Sequence, residues 1–350
     1  MGDRQDAETF NNLLAAFGMA RGKLQLPCVP ALKARYVQKV IALANLLEKP
    51  LTSAQVEELE TAIAQELAKG FQASQHSQLL ISFQPNPKSV EQLDFKITCQ
   101  IASLAEFYEA ALKDNFATDS DQLDRLETSV FGKHANARVL DLLPELGDPE
   151  TTTILDIGAG SGRNALPLAR SGYAVDAIEL ADTFCQQLQQ QAKTENLPLS
   201  IIQGNILDPL LRPKLNHYAL AILSELLVHF RDADQARLAL AKACDAVSKS
   251  GLVLFNIFLC RPDYQPTIAD RQVAQVAQSF FLTPAELESV MDGLPLELVD
   301  RHSVFDYERD RLPSSAWPPS PWFINWATGR LLFDLEPPPI SLQWLLCRRI

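Results

Sequence analysis

The pattern of hydrophobic and polar positions predicts two amphipathic helices near the start of the chain. Apolar side chains recur on one helical face over residues 32–47. A second helix is predicted to begin after Thr52, where Gln55 completes a capping box, and to end at Gly70. We expect the two helices to pack against each other as a hairpin.

Two runs of alternating apolar residues follow, at 79–83 and 93–101, and they flank a Pro-Asn-Pro turn. This pattern predicts a two-stranded ribbon. Two more helices are predicted around 103–113 and 132–146. The run 114–121 is the candidate domain boundary. Residues 1–120 are therefore interpreted as a mainly helical N-terminal domain that contains a small β-ribbon, and this domain is the candidate substrate cap.

From residue 151 onward, apolar strands alternate with helices, which predicts a parallel sheet covered on both faces. The predicted strands lie at 153–157, 174–178, 200–203, 218–224, 251–258, 296–307 and 342–347. Thr283 is predicted to cap a helix that lies between the strands at 251–258 and 296–307. Residues 121–350 are therefore interpreted as one α/β domain with a Rossmann-like, doubly wound, mostly parallel sheet.

Composition narrows the classes of partner. The chain has 350 residues, 47% of them hydrophobic, and a net charge of −12, which argues against general binding of nucleic acid or acidic membranes. The longest apolar runs, such as 252–260, are too short to cross a bilayer. The six cysteines form no C-x-x-C pair, and no His stands at metal-ligand spacing. We therefore expect a cytoplasmic protein with buried thiols and no metal, and the sequence leaves its oligomeric state open.

A glycine-rich turn joins the first of these strands to a helix. Gly158, Gly160 and Gly162 let the backbone turn sharply and approach a ligand closely. The next strand ends at Glu179, whose carboxylate is placed to accept hydrogen bonds from two ribose hydroxyls. Strand, turn, helix and acid together predict a nucleoside-binding βαβ unit.

The exact spacing of the turn separates ligand classes. A dinucleotide site requires G-x-G-x-x-G, but Arg163 occupies the last glycine position. A nucleophile elbow G-x-S-x-G around Ser161 requires glycine two residues before and two residues after the serine, where the chain has Ala159 and Arg163. The spacing G-x-G-x-G, with Asp156 two residues before it, resembles motif I of the class I S-adenosylmethionine-dependent methyltransferases. In that family the last strand of the sheet is antiparallel, which matches the ending of this chain.

This resemblance implies S-adenosylmethionine as the cofactor and assigns positions to its site. Asn205 and Ile206 would meet the adenine amino group and ring. The cofactor-binding residues implied are Asp156, Gly158, Ala159, Gly160, Gly162, Asn164, Glu179, Leu180, Asn205, Ile206 and Ser224. The fragments 162–169, 172–179 and 222–230 are most similar to the tellurite-resistance-type branch of the superfamily.

The segment after the strand at 218–224 offers candidate catalytic groups. Glu225 resembles an acid that holds an amine nucleophile in protein-arginine methyltransferases, and the alternative is that it caps the next helix. His229 is a candidate general base or an ordinary residue of a helix start. Arg163 and Asn164 either orient the cofactor carboxylate or cap the helix after the turn.

An aromatic, proline-rich insert at 308–340 is too long for a hairpin turn. Trp317 and Trp322 are its candidate substrate-binding residues. Because the preceding strand is predicted to run parallel to the others, the insert leaves the sheet at the cofactor edge and is expected to roof the substrate pocket. The alternative is that its aromatic side chains only pack the insert onto the protein.

The sequence therefore favours a methyltransferase that acts on a small molecule by in-line methyl transfer. Three alternatives stay open: a protein or peptide methyltransferase, a non-catalytic S-adenosylmethionine-binding sensor or scaffold, and a nucleotide-dependent oxidoreductase, which Arg163 opposes. The methyl acceptor is not revealed.

Overall fold

The structure is a computed structural model that describes residues 21–104, 106, 132 and 134–350. Within these ranges the strands are β1 (Gly22–Pro27), β2 (Gln78–Asn86), β3 (Ser89–Gln100), β4 (Thr153–Ile157), β5 (Ala174–Glu179), β6 (Leu199–Gln203), β7 (Tyr218–Leu223), β8 (Val247–Cys260), β9 (Phe281–Leu282), β10 (Leu296–Ser303) and β11 (Ile340–Arg349). The helices are α1 (Lys33–Leu46), α2 (Ser53–Ala73), α3 (Ala137–Leu140), α4 (Leu143–Leu146), α5 (Ala165–Arg170), α6 (Asp182–Glu195), α7 (Ala233–Ala246), α8 (Ile268–Val276), α9 (Pro284–Met291), α10 (Val304–Arg311) and α11 (Phe323–Ala327).

The chain divides into two compact units, one formed by residues 1–107 and 266–277 and the other by 108–265 and 278–350. In the described part of the first unit, β1, β2 and β3 form an antiparallel sheet in that order. The ribbon prediction was therefore incomplete, because β1 adds a third strand beside β2. Alternate residues of β1 and β2, including Leu24, Leu26, Leu79 and Ile81, join apolar residues of α1 and α2 in one core.

Helix α2 begins as its sequence indicates. The Thr52 side chain accepts a hydrogen bond from the Gln55 backbone N–H, and the Gln55 side chain accepts one from the Thr52 N–H. The predicted stop at Gly70 was wrong. The helix continues to Ala73, and Ser74 N–H donates to the Gly70 carbonyl oxygen at 2.9 Å. Gly70 is instead a point of close approach, because a Cβ there would lie 2.4 Å from Cys28 Sγ.

This contact predicts a context-dependent effect of Gly70→Ala. The added methyl group overpacks against Cys28, and we expect this to lower the free energy of unfolding by about 1–3 kcal/mol. This loss outweighs the roughly 1 kcal/mol by which alanine is more favourable than glycine inside a helix. In a Cys28→Ala background the penalty should fall by more than half. Urea unfolding of the four variants measures both values, and an equal penalty in the two backgrounds would contradict the contact.

The second unit is built on a mixed sheet with the order β10–β11–β8–β7–β4–β5–β6, and β9 pairs with β8 outside this path. Neighbouring strands from β6 to β8 are parallel, whereas β11 is antiparallel to both β8 and β10. This confirms the predicted Rossmann-like fold with an antiparallel last strand. The strand order reverses at β4, so the carboxyl ends of β4 and β7 lie beside a switch point, where open α/β sheets bind ligands.

Two predicted elements of this unit were wrong in extent. The strand predicted at 296–307 ends at Ser303, whose hydroxyl accepts a hydrogen bond from Asp306 N–H and so begins α10. The single helix predicted at 132–146 is two short helices in the described part, because Pro144 has no N–H to continue the ladder from α3 into α4. The candidate boundary at 114–121 and most of the helix at 103–113 lie outside the described residues.

Candidate active site

The glycine-rich turn lies at the carboxyl end of β4. Gly158, Gly160 and Gly162 all have left-handed backbone angles, with φ of 77°, 55° and 89°. The N–H groups of Gly158 and Ala159 donate to the Ile178 carbonyl oxygen at 2.8 and 3.1 Å, which fastens the turn to β5. Glycine adopts these positive φ values without the steric cost that a Cβ would add.

The three glycines differ in the space around them. A Cβ on Gly158 would meet Leu226, and a Cβ on Gly162 would meet Leu188 and Leu166, each within 3.0 Å. A Cβ on Gly160 would point into open space, with no atom within 4 Å. The middle of the turn is thus the part that a ligand can approach.

Glu179 ends β5 beside this open position. Its Oε2 accepts a hydrogen bond from Gly160 N–H at 2.7 Å, and its Oε1 accepts from the N–H groups of Leu180 and Ala181 at 2.8 Å. Burial raises the pKa of the Glu179 carboxyl, and the three backbone N–H groups oppose that shift. The carboxylate is therefore fixed in orientation by the turn that it supports.

Asp156 lies on β4 at 2% exposure, with its Oδ2 atom lacking a hydrogen-bond partner within the described chain. Burial raises the pKa of Asp156 to about 7; Arg163 counteracts this shift, and Glu179 adds to it. A buried polar atom without a partner calls for an explanation. An unsatisfied buried carboxylate oxygen suits a ligand that carries a positive charge or hydrogen-bond donors.

Arg163 and Glu225 form a buried ion pair across the carboxyl edge. The distance from Arg163 Nη2 to Glu225 Oε1 is 2.7 Å, and the two side chains are 8% and 6% exposed. Glu225 has a φ of 56°, and its N–H donates to Asn256 Oδ1 at 2.6 Å. Arg163 and Glu225 lie 62 positions apart, and no sequence pattern predicts that they pair.

A polar network connects the turn to the exit of β7. The Asn136 side-chain oxygen accepts hydrogen bonds from Asn164 Nδ2 at 3.0 Å and from the Ser224 hydroxyl at 2.9 Å. Asn164 Oδ1 in turn accepts from Asn136 N–H at 3.0 Å. Asn164 precedes α5 without a side-chain capping bond, so its role in the structure is to bind Asn136. Sequence reasoning missed Asn136, which lies 28 positions away and carries no motif.

Glu308 is a second residue that the sequence did not reveal as part of this region. It belongs to α10 and is fully buried. Its carboxylate accepts hydrogen bonds from the N–H groups of Ala137 and Arg138, at 2.7 and 3.3 Å, and from Trp344 Nε1 at 3.1 Å. Burial raises the pKa of the Glu308 carboxyl, and these donors, together with the charge of Arg163, lower it. Glu308 thus fixes the segment that carries Asn136.

A cavity of about 300 Å³ lies next to this network. Asn136, Arg163 and Glu308 contribute to its wall, and the start of the insert contributes Leu312, Ser315, Ala316, Pro318 and Pro319. The insert therefore does line a space at the carboxyl edge of the sheet.

The two tryptophans assigned to substrate binding pack against other aromatic side chains, those of the insert and Phe305 just before it. Trp317 contacts Phe305 and Phe323 edge to face, with ring centroids 5.6 and 5.7 Å apart, and Trp322 contacts Trp326 at 5.2 Å. The chain neighbours of Trp317 are the ones that line the cavity.

The remaining candidates lie on the loops that follow β5, β6 and β7. Leu180 follows Glu179 and is half-buried, and Asn205 is exposed, with its Oδ1 accepting from Leu207 N–H at 2.9 Å. Ile206 is buried in the core. His229 ends a short 3-10 helix, Leu227–His229, and is half-buried. Parallel strands bring these loops to the same edge as the turn.

Comparison with protein families identifies this region. Residues 154–251 match the model of a methyltransferase domain. This segment is therefore similar to a methyltransferase domain. The match covers β4 to the start of β8, so it includes the glycine turn, Glu179, Asn205 and Glu225 and excludes Asn136 and Glu308.

Individual relatives of the methyltransferase domain are distant. An inferred methyltransferase of Geobacillus sp. (strain WCH70) is 23% identical over 115 residues, which are 33% of this chain and 46% of that protein. The alignment thus spans less than half of the relative's length.

One similar solved structure is geranyl diphosphate C-methyltransferase from Streptomyces coelicolor A3(2), in complex with Mg²⁺, geranyl diphosphate and S-adenosyl-L-homocysteine. It is 15% identical to this chain, with a TM-score of 0.46. The alignment covers 61% of this chain and 80% of that one. The structure of the 4+2 cyclase SpnF is 13% identical to this chain, with a TM-score of 0.44. The alignment covers 67% of this chain and 97% of SpnF.

Within residues 21–104 and 134–350, no helix combines the length and apolar character needed to cross a membrane. Nor do those ranges contain a group of at least 3 His, Cys, Asp or Glu residues placed to hold a metal ion.

Proposed function

We propose that the protein is a methyltransferase that uses S-adenosylmethionine and transfers the methyl group to a small molecule. The observation that carries the proposal is the open position at Gly160 beside the buried Glu179 carboxylate, within a methyltransferase domain. The fragments that resemble the tellurite-resistance-type branch surround this position, which supports that branch as part of the proposal. The six free cysteines support a cytoplasmic location.

The residues of the chain fit the proposed cofactor. Gly160 leaves the space that its sugar and methionine portion would need, Glu179 supplies a fixed carboxylate for ribose hydroxyls, and Asp156 supplies an unsatisfied buried oxygen. Further binding residues in the proposal are Gly158, Ala159, Gly162, Asn164, Leu180, Asn205, Ile206 and Ser224.

The cofactor supplies a methyl group on positively charged sulfur, so alignment and exclusion of water matter more than an acid–base group. The Arg163–Glu225 pair fixes the wall on the acceptor side, and the insert around Trp317 and Trp322 shields the cavity from water. Glu225 is thus proposed to orient its surroundings through Arg163. His229 remains the candidate general base.

A non-catalytic S-adenosylmethionine sensor is the second candidate function. The buried Arg163–Glu225 pair favours it, because the Arg163 guanidinium already forms an ion pair with the carboxylate that would otherwise hold a nucleophile. Incubation with methyl-labelled cofactor and a cell extract depleted of macromolecules separates the two: label in small molecules supports the enzyme, and its absence despite binding supports the sensor.

Gly160→Val is expected to reduce the affinity for S-adenosylhomocysteine by at least about 100-fold. The valine Cβ would meet no protein atom within 4 Å, so the isopropyl group would enter the open space beside Glu179. The backbone strain of the substitution is about 1–3 kcal/mol. Gly293→Val is the matched control, since Gly293 also has positive φ and its Cβ would meet only Arg237 Nη2, at 3.8 Å, but it precedes β10 at the other edge of the sheet. Calorimetric titration compares them, and equal affinities would refute the site.

A further inference from the structure

Residues 204–217, all of which are described, connect β6 to β7 without a helix or a strand. Connections between the strands of a parallel sheet usually run through a helix, which orders them. This connection begins with Asn205 and Ile206, the residues proposed to meet the adenine base. Its first part, 204–211, is called the β6 loop below, and it needs another source of order to present those two residues in one position.

Hydrogen bonds within the β6 loop curl its backbone. Asn205 Oδ1 accepts from Leu207 N–H at 2.9 Å, and the Asn205 carbonyl oxygen accepts from Asp208 N–H at 2.9 Å. The Asp208 carbonyl oxygen accepts from Leu211 N–H at 3.1 Å. A Cβ on Gly204 would lie 2.2 Å from Leu211 Cδ1, so the two ends of the loop are close together. These local bonds give the loop its shape but do not attach it to another element.

The side chain of Lys242 attaches the β6 loop to α7. Its Nζ donates to the carbonyl oxygens of Ile206, Asp208 and Leu211, at 2.7, 2.5 and 2.9 Å. An ammonium group has three N–H donors and no acceptor, so these carbonyls use its full hydrogen-bonding capacity. Helix α7 packs into the same apolar core as the Ile206 side chain. The loop is therefore anchored to a buried helix.

The charge of Lys242 also matters for this arrangement. Three carbonyl oxygens that converge on one Nζ atom bring their partial negative charges close together, and these charges repel one another when no cation lies between them. A neutral side chain of similar length would supply neither the charge nor the three donors. Its presence should allow the carbonyls to separate and the β6 loop to open.

We propose that Lys242 is a positioning residue for adenine recognition and that it sets the selectivity of the cofactor site for the adenine amino group. This inference rests on the proposed methyltransferase function. Lys242 acts through the Ile206 carbonyl and the turn around Asn205, without a contact to the base of its own. It lies 36 positions after Ile206, and no sequence pattern connects the two residues.

A purely structural role for Lys242 makes a different prediction. A general loss of stability would weaken the binding of every cofactor analogue alike, whereas a displaced β6 loop would weaken only the contacts to the base. S-adenosylhomocysteine and S-inosylhomocysteine separate these cases, because they differ at the purine amino group, which an oxygen replaces in the inosine compound. A site with hydrogen bonds to that amino group rejects the analogue that lacks it.

The test is calorimetric titration of both compounds into the full chain. We expect the wild type to bind S-adenosylhomocysteine at least about tenfold more tightly than S-inosylhomocysteine. Lys242→Met should weaken S-adenosylhomocysteine at least about tenfold and S-inosylhomocysteine less than about threefold, so that most of the selectivity is lost. Equal weakening of the two compounds, or no weakening of either, would overturn the proposal, as would a wild type that does not distinguish them.

Two further variants accompany Lys242→Met. Lys249→Met makes the same change at an exposed lysine near the start of β8, away from the carboxyl edge, and should leave both affinities within about twofold of the wild type. Lys242→Gln keeps two N–H donors for three carbonyls and should reduce the selectivity by at least about threefold. It carries the test if Lys242→Met does not fold, and an unchanged selectivity in Lys242→Gln would then refute the proposal.

Hydrogen exchange without any ligand tests the anchoring of the loop separately from the proposed function. The backbone N–H groups of Leu207, Asp208 and Leu211 should exchange at least about tenfold faster in Lys242→Met than in the wild type, with the exchange in β4 unchanged. Equal exchange in the two chains would contradict the role of Lys242. Failure of the wild type to bind S-adenosylhomocysteine would instead refute the proposed function, and the exchange rates would still show whether Lys242 orders the β6 loop.

Discussion

Glu179→Ala is expected to reduce the affinity for S-adenosylhomocysteine by at least about 100-fold, equivalent to about 2.7 kcal/mol. Two effects add. The carboxylate for the ribose hydroxyls is lost, and the N–H groups of Gly160, Leu180 and Ala181 lose their shared acceptor, so the turn is less well ordered. Calorimetric titration of the wild-type and variant chains measures the change.

The controls separate charge from surface effects. Glu179→Gln keeps one carbonyl oxygen and should lose less affinity than Glu179→Ala. Glu195→Ala removes an exposed acid that pairs with Arg170 on the protein surface, and it should leave the affinity unchanged. If Glu179→Ala binds S-adenosylhomocysteine within about twofold of wild type, the proposed ribose site is wrong.

Arg163→Met is expected to lower the free energy of unfolding by about 3–5 kcal/mol, because it leaves the Glu225 charge buried without a partner. The double variant Arg163→Met/Glu225→Gln removes both charges and should recover more than half of the loss. Urea unfolding followed by the tryptophan signal of the second unit, which contains the four tryptophans, reports on this unit directly.

A surface ion pair supplies the control for this cycle. Arg170→Met breaks the exposed pair with Glu195 and should cost no more than about 1 kcal/mol. A loss in Arg163→Met as small as in Arg170→Met would contradict the view that Arg163 and Glu225 form a structurally essential pair. The outcome also bears on function, since a chain that cannot keep this pair cannot keep the wall of the cavity.

The comparison of sequence and structure is clearest at the glycine turn. The predicted strands at 153–157 and 174–178 match β4 and β5 to within one residue. Local patterns suffice there, because a short apolar run and three glycines each restrict the backbone over a few residues. The N-terminal helices follow the same logic, as the capping box at Thr52 shows.

The errors arose where a distant contact overrides the local pattern. Gly70 resembles a helix stop but is small because Cys28 packs against it, 42 positions away. Strand β1 has a pattern too short to predict, and it is ordered by pairing with β2. The helix predicted at 132–146 begins only at Ala137, where the Glu308 carboxylate accepts its first N–H groups.

The sequence by itself determined the α/β class, the position of the turn and the acid that ends the following strand, because these depend on residues adjacent in the chain. Only the tertiary structure decided that Arg163 pairs with Glu225 and that Glu308 faces the same cavity, 145 positions beyond Arg163. Such groupings of side chains have no periodic signal, since the sheet order, and not chain separation, brings the ends of β4, β7 and β10 to one edge.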